Sequence, residues 1–550
     1  MKKIAHIFII ILFGACSLPE YQNASDKHPK LIVLISVDQM RGDYIPTFNH
    51  FLTRGLSDIS NNGISFKNTF HNHATTTTAV GHATIATGFL PKNHGILGNN
   101  VYNRITQQSQ YSVEDSTIQF IGIDSFKGTK ASPKNLLKPA FGDIIKKYNK
   151  KSKSYSVSLK DRSAILMGGK QADRAFWFDS KTTQMVSTNY YKNPFPEWAK
   201  EFKANQIIKD NMEEGWQLTI PVEQLPEGTT KDDYAYEDGT FSSSFPHTIS
   251  SFNKEKVTGN FEGEFVWNTP YGDKYLLEFS KKLLEEEQLG TDENCDVLSI
   301  GLSAADVIGH HFGPNSFEIA DYYYKLDQYL ADFMDFLNSK VGKNEYVIIL
   351  TGDHGAAPLP EILEPKSTLR ISGTEYRNDL KNIENLLVKE FNLPRPAFLK
   401  FGHAGIEPDY NLLKASNIEV DDFETILCDK LKKLPYIRQT FTNSELLKPS
   451  KGKDFFEQFA NCYHPNLGYS IKFLPEKNYL VSMRKTGTTH GTPYLYDSWV
   501  PLIFYGVNNA KVVNTNQKTS TIDIAPTILG ILDIQEDEMD GKDLFKGSDN

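Results

Sequence analysis

Only four cysteines occur in the 550 residues, Cys16, Cys295, Cys428 and Cys462, and no two of them form a CxxC pair. That spacing excludes a disulfide framework and a cysteine zinc site, and with Cys16 set aside at the start of the chain at most one bridge can form. Basic excess is missing too: 59 Lys and Arg stand against 68 Asp and Glu, a formal net charge of −9. A general nucleic-acid binder carries the opposite balance, so no nucleic-acid partner is expected. Internal repeats and low-complexity tracts are absent, which removes solenoids and arrays. The first apolar run, Ile7 to Phe13, is too short to cross a bilayer as a helix of about 20 residues.

What is present is ordinary for a large globular core, with 39% hydrophobic and 23% charged residues. At about 150 residues per domain the length allows two to four domains. Lys2 and Lys3 before the short apolar run, followed by Gly14, Ala15 and Cys16, match an export signal with a small-residue cleavage site. Residues 1–16 are therefore expected to be a removed signal segment that resembles a lipobox, with Phe13 where Leu is usual. Cys16 is then a lipid anchor, or cleavage is by plain signal peptidase, and the protein is exported to the periplasm or held at the outer membrane. Residues 17–30 are polar and read as a tether.

Leu31 to Val37 is a nearly continuous aliphatic run that ends in Asp38. Such a run suits a strand buried on both faces of a parallel sheet. The same design recurs at Asp296–Ser303, which leads to Asp306, at Tyr346–Leu350, which leads to Asp353 and His354, and at Val500–Tyr505. Open α/β sheets place their sites beyond such strand ends. Asn315 to Lys340 predicts a helix capped by Asn315 or Ser316, with Tyr322, Leu326, Tyr329, Leu330, Phe333 and Leu337 on its core face. A second helix is expected over Thr521–Leu532. Together these predict an α/β fold in three αβα layers around a mainly parallel sheet. The expected divisions are a core over 31–357, an inserted cap over 358–483, and the rest of the core over 484–550.

His71 to Gly88 reads HNHATTTTAVGHATIATG. Four threonines before small residues can be a plain hydroxyl cap on a helix, or can present one hydroxyl as a nucleophile to an anion at that N-terminus. The segment by itself does not choose between them. Elsewhere, Asp306 and His310 in DVIGHHFGP are four apart, close enough on a helical turn for one metal ion. Asp353 and His354 are adjacent at a strand end and suit a shared or second centre. His490 lies in a Gly/Thr-rich loop, and Asp38 ends the first strand. Singly each is an ordinary turn or core residue; jointly they offer the oxygen and nitrogen donors that zinc accepts. His311 is expected to be structural. Ala175-Phe-Trp-Phe178 is expected to pack in the core rather than wall a site.

Thr78-Ala-Val-Gly-His82, Asp306–Pro314, Asp353-His-Gly355 and Thr489-His-Gly491 resemble the alkaline phosphatase superfamily. The chain is most similar to its PafA-type, threonine-nucleophile bacterial alkaline phosphatases, from about Pro29 to the C-terminal helix. The resemblance implies a phosphate monoester hydrolase of broad range that works through a covalent phosphothreonine. It implies Thr78 as nucleophile and metal ligand, with Thr75, Thr76 and Thr77 positioning it. Two Zn²⁺ are implied, one on Asp306, His310 and His490, the other on Asp38, Asp353 and His354. Asn99, Lys160 and Arg162 are implied as phosphate contacts. Val101 stands where the family pattern more often has Trp.

Physical chemistry agrees. A bound metal activates a weak hydroxyl nucleophile, and the loose transition state is served by positioning and charge. Lys160 and Arg162 offer a point charge and a planar fork to a dianion, and their spacing of two would point them the same way on a strand. The partners expected are small-molecule phosphate monoesters, with the protein a monomer. Three alternatives compete: a phosphodiesterase or nucleotide pyrophosphatase of the same superfamily, an arylsulfatase, and a metal-free surface lipoprotein that binds glycans or a partner. No proline here has an arginine two residues after it, which speaks against the sulfatase, and no metal ligand is missing, which speaks against the third.

Overall fold

The computed structural model describes residues 28–546 except 124–127, 192–193, 203–204, 238–241, 252–259, 364–368, 403–404, 449–451, 483, 508–514 and 537. The expected signal segment, Cys16 and all but the last residues of the tether lie outside the described residues. Nine strands form the main sheet: β1 (Leu31–Val37), β2 (Ile64–Ser65), β3 (Phe120–Ile121), β4 (Ser154–Ser158), β5 (Arg174–Asp179), β6 (Gln184–Thr188), β7 (Asp296–Leu302), β8 (Tyr346–Gly352) and β9 (Leu502–Tyr505). Their order is β2-β9-β8-β1-β7-β4-β5-β6-β3. The central five are parallel, and antiparallel strands finish both edges. The run at Val500–Tyr505 is thus a strand from Leu502 onward, but antiparallel, beginning only after Pro501, which has no N–H for the ladder.

The aliphatic run of β1 is buried throughout because its two faces enter different cores. Leu31, Val33, Ile35 and Val37 join one apolar cluster, and Ile32 and Leu34 the other. Helix α4 (Phe317–Leu337) covers the first face with Tyr322, Leu326, Leu330 and Phe333; Ser316 caps it, accepting the Ile319 N–H. Helix α5 (Ile524–Ile531) covers the second face with Ile524, Ile528 and Leu529. Each such residue fully buried contributes about 1.5–3 kcal/mol, so this αβα sandwich is what holds the strand ends in place.

A second sheet, with strands Phe398–Gly402, Gly405–Pro408, Ile471–Pro475 and Ile437–Thr442 in that order, is antiparallel throughout. It has its own apolar cluster with helices Gly373–Glu390 and Val420–Leu431, through Leu380, Ile383, Phe423 and Leu427. Arg370–Ser372 pairs with Leu480–Ser482, so this part of the chain leaves and returns at one place.

Candidate active site

Asp38 follows β1 directly, and Asp353 and His354 follow β8. These strands are neighbours with Val37 opposite Gly352, so the three side chains emerge together. His354 Nε2 lies 3.3 Å from Asp38 Oδ1 and 3.4 Å from Asp353 Oδ2. All three residues are fully buried. Asp38 Oδ1, Asp353 Oδ2 and His354 Nε2 have no hydrogen-bond partner among the described residues. Buried polar atoms are nearly always paired, so three orphans facing one point fit a cation bound by nitrogen and oxygen.

Helix α3 (Ala304–Phe312) carries Asp306 and His310 one turn apart, with His310 Nε2 3.2 Å from Asp306 Oδ1. His490 arrives on its loop and sets Nε2 3.5 Å from the same oxygen. Its ring stacks on that of His354 at 3.6 Å, so the two groups share a wall. The Nδ1 atoms of His310, His354 and His490 lie 2.8, 2.9 and 2.7 Å from the carbonyls of Thr488, Gly355 and Thr76. A carbonyl only accepts; each Nδ1 therefore carries the proton and each Nε2 keeps its lone pair for a metal. Burial also pushes His490 down to about 3 and His354 well below the ordinary imidazole value, which favours the neutral, ligating form.

Among the described residues two sets could hold a metal ion, Asp306 with His310 and His490, and Asp38 with Asp306 and His354. The second closes on Asp306, whereas the resemblance implies Asp353. The cause is Lys160, whose Nζ lies 2.5 Å from both Asp38 Oδ2 and Asp306 Oδ2 and draws the two carboxylates together. Burial alone would raise Asp306; His310 and Lys160 outweigh it and hold its carboxyl well below the usual range. At Asp353 the balance is the reverse: burial and the nearby Asp38 charge outweigh Lys160 and the Gln39 N–H and push it well up.

Thr78 opens helix α1 (Thr78–Thr87) and is buried. Its hydroxyl accepts from Arg162 Nη2 at 3.4 Å. Arg162 Nε is buried with no hydrogen-bond partner among the described residues, a donor left for an anion. Asn99 Oδ1 accepts the Ala79 N–H at 2.9 Å, which turns the Asn99 amino group the other way. A hydroxyl cap is not what the threonines provide: Thr77 at the N-cap makes no side-chain cap bond, and Thr76 Oγ1 donates to the Thr492 carbonyl. Lys160 and Arg162 are not on a strand either. Strand β4 stops at Ser158, and the two residues are the N-cap and second residue of helix α2 (Asp161–Gly168), so they reach different partners. His311 is buried beside Phe312. Trp177 and Phe178 are core residues that also line the hollow holding Lys160 and Arg162.

Helix α1 comes this close because of Gly81: a Cβ there would lie 2.1 Å from the Asp353 carbonyl oxygen. Three buried residues escaped the sequence reasoning. Gln39, at φ 66°, donates from Nε2 to Asp306 Oδ1 at 2.8 Å and from its N–H to Asp353 Oδ1 at 3.0 Å, so it touches both groups. Asp497 accepts the N–H groups of Gly491 and Thr492 and the Thr492 hydroxyl, which sets the turn after His490. Asp273 accepts the Ser303 N–H and the Tyr322 hydroxyl, which seats the start of α3. The position of Gln39 beside a strand-end acid is the one signal that could have found any of them.

A model of the type I phosphodiesterase / nucleotide pyrophosphatase family matches residues 32–429. The chain is 32% identical over 522 residues to alkaline phosphatase PafA of Elizabethkingia meningoseptica, covering 92% of each. It is also 32% identical over 513 residues to alkaline phosphatase PhoV of Synechococcus elongatus, covering 92% of this chain and 90% of that one. The crystal structure of wild-type alkaline phosphatase PafA superposes with a TM-score of 0.85 at 31% identity, covering 94% of this chain and 99% of that one. With the family model over most of the chain and 32% identity over nearly its whole length, this chain belongs to the type I phosphodiesterase / nucleotide pyrophosphatase family, among its PafA-like alkaline phosphatases.

Proposed function

We infer from the site and its relatives that the chain is a metal-dependent phosphate monoester hydrolase, and we propose that Thr78 is its nucleophile. The observation that carries this is the meeting of the Thr78 hydroxyl and the Arg162 guanidinium with the two carboxylate–imidazole groups at one rim of the sheet. We assign one zinc ion to Asp306, His310 and His490 and a second to Asp38, Asp353, His354 and the Thr78 oxygen. When bound, these ions supply positive charge that favours the Thr78 alkoxide and faces the attacking and leaving oxygens. Asn99 and Arg162 donate to the non-bridging oxygens and orient the ester for in-line attack. Lys160, which holds Asp38 and Asp306 in the structure, would be free to donate to the phosphoryl group where cations take those carboxylates. Attack by Thr78 Oγ1 makes one P–O bond as the ester P–O bond breaks; water then hydrolyses the phosphothreonine and frees inorganic phosphate.

A diesterase reading has the family model in its favour. Lys160 and Arg162 weigh against it, since two cations beside one oxyanion site suit a dianionic monoester. Hydrolysis of p-nitrophenyl phosphate and of bis-p-nitrophenyl phosphate decides between them, with chelated, zinc-restored and Thr78→Ala enzyme. Zinc-restored monoester preference lost in Thr78→Ala is expected, with a phosphopeptide at Thr78 in acid-quenched digests. Diester preference, or activity indifferent to Thr78, would overturn the assignment. We further propose export through residues 1–16, with acylation of Cys16 and a monomeric protein. The division into core (31–357 and 484–550) and cap (358–483) has support from the separate antiparallel sheet and its apolar cluster. Radiolabelled palmitate on wild type but not on Cys16→Ser tests the anchor.

A further inference from the structure

A cavity of about 380 Å³ lies between the rim of the main sheet and the antiparallel sheet. Thr77, Asn99 and His490 line its inner end, beside the nucleophile, the phosphate contact and a metal ligand. Its walls include the rings of Tyr102, Tyr469 and Phe473, and Val101 is a small side chain among them. The rings of Tyr102 and Tyr469 stack 5.9 Å apart and 5° from parallel, each fixing the other. A volume of this size is that of a small-molecule pocket.

Lys472 is the cationic side chain in this lining. It is nine-tenths buried and donates to the Cys462 carbonyl at 2.8 Å. Among the described residues no carboxylate pairs with it, and burial with the nearby Arg104 charge pushes its ammonium down to about 8. A buried ammonium without a counter-ion is costly, and the cost is offset when an anion joins it. The alcohol half of an ester whose phosphoryl group meets Thr78 and Asn99 needs space beside them, and Thr77, Asn99 and His490 put this cavity there.

We propose that this cavity binds the alcohol half of the substrate, and that it favours monoesters of aromatic alcohols carrying a second anionic group, such as a carboxylate, which Lys472 holds. The aromatic walls take the planar body and Val101 leaves it room. This rests on the phosphatase assignment and narrows it.

The test uses the zinc-loaded full chain with methyl phosphate, 2-naphthyl phosphate and 6-carboxy-2-naphthyl phosphate, and the variants Lys472→Met and Val101→Trp. Methyl phosphate is too small to reach either residue and reports on intact chemistry and folding. In Lys472→Met the preference for the carboxylated over the plain naphthyl ester, as a ratio of kcat/KM, should fall at least about tenfold, the size of one charge-assisted hydrogen bond. In Val101→Trp both naphthyl esters should lose about tenfold in kcat/KM while methyl phosphate keeps its rate. Fluorescence titration with 6-carboxy-2-naphthol gives a readout that needs no catalysis, and its Kd should weaken about tenfold in Lys472→Met. An unchanged ratio and Kd in Lys472→Met, or naphthyl rates indifferent to Val101→Trp, would overturn the proposal. Absence of all monoester hydrolysis with tight, Lys472-dependent naphthol binding would instead count against the phosphatase assignment.

Discussion

The two proposed ligand groups reach one hollow by different routes. Asp38, Asp353 and His354 stand on the ends of neighbouring strands, where sheet register alone sets them side by side. Asp306, His310 and His490 stand on a helix and a distant loop, and they are held by Gln39, Asp273 and Asp497. The strand group is rigid but electrostatically unfinished, with three orphaned atoms. The helix–loop group is better paired but depends on bonds further out. A site can therefore fail in two ways, by losing a cation that completes it or by losing a residue that aims it.

The widest test removes one ligand from each group. Asp353→Ala and His490→Ala should each lower kcat/KM for p-nitrophenyl phosphate by about a thousandfold or more, since each ion supplies several kcal/mol and a tenfold step is about 1.4 kcal/mol. A variant that keeps wild-type rates would break the comparison by making its group dispensable.

Next in size is a pH effect confined to the supports of the helix–loop group. Burial pushes Asp273 and Asp497 up to about 7 from 3.8. The fold thus prefers their protonated forms and binds more protons than the unfolded chain between these values. Stability from each is fully present below pH 3.8 and is lost as pH rises to about 7, a change on the order of 4 kcal/mol. Urea melts from pH 4.5 to 8 should show this fall, reduced in Asp273→Asn and in Asp497→Asn.

Gln39→Met separates the groups more finely. It removes the side-chain bond to Asp306 and leaves the backbone bond to Asp353. One class of zinc sites should weaken about 10- to 100-fold in a chelator competition while the other holds. The smallest effect is on the chelated protein. Asp353→Asn removes a buried acid beside Asp38, and should raise the chelated Tm by about 1 °C, about 1 kcal/mol. The corresponding change at the better-paired Asp306 should not.

The strand group was legible in the sequence because an aliphatic run that ends in an acid states both the strand and where its side chains emerge. Helix α4 was legible for a similar reason, since Ser316 and the apolar spacing describe its start and its face. His490 was not: a Gly/Thr-rich loop carries no periodicity, and only the resemblance to a known family joined it to Asp306. The helical placement of Lys160 and Arg162 also escaped, because two charged residues two apart fit a strand or a helix start equally well. Asp273 and Asp497 act only through bonds that exist after the chain has folded, and no local pattern marks them; Gln39 is marked only by its place beside the strand-end acid Asp38.

The missing side chain at Gly81 gives the site a dimension. The helix of the proposed nucleophile rests on the backbone of the residue after β8, so the gap between Thr78 and the strand-end acids is about as small as two main chains allow. Any larger residue would act as a spacer, and reacting groups separated by an extra 1 Å lose on the order of a hundredfold in rate. Tolerance in this enzyme is therefore tightest at a position with no chemistry of its own.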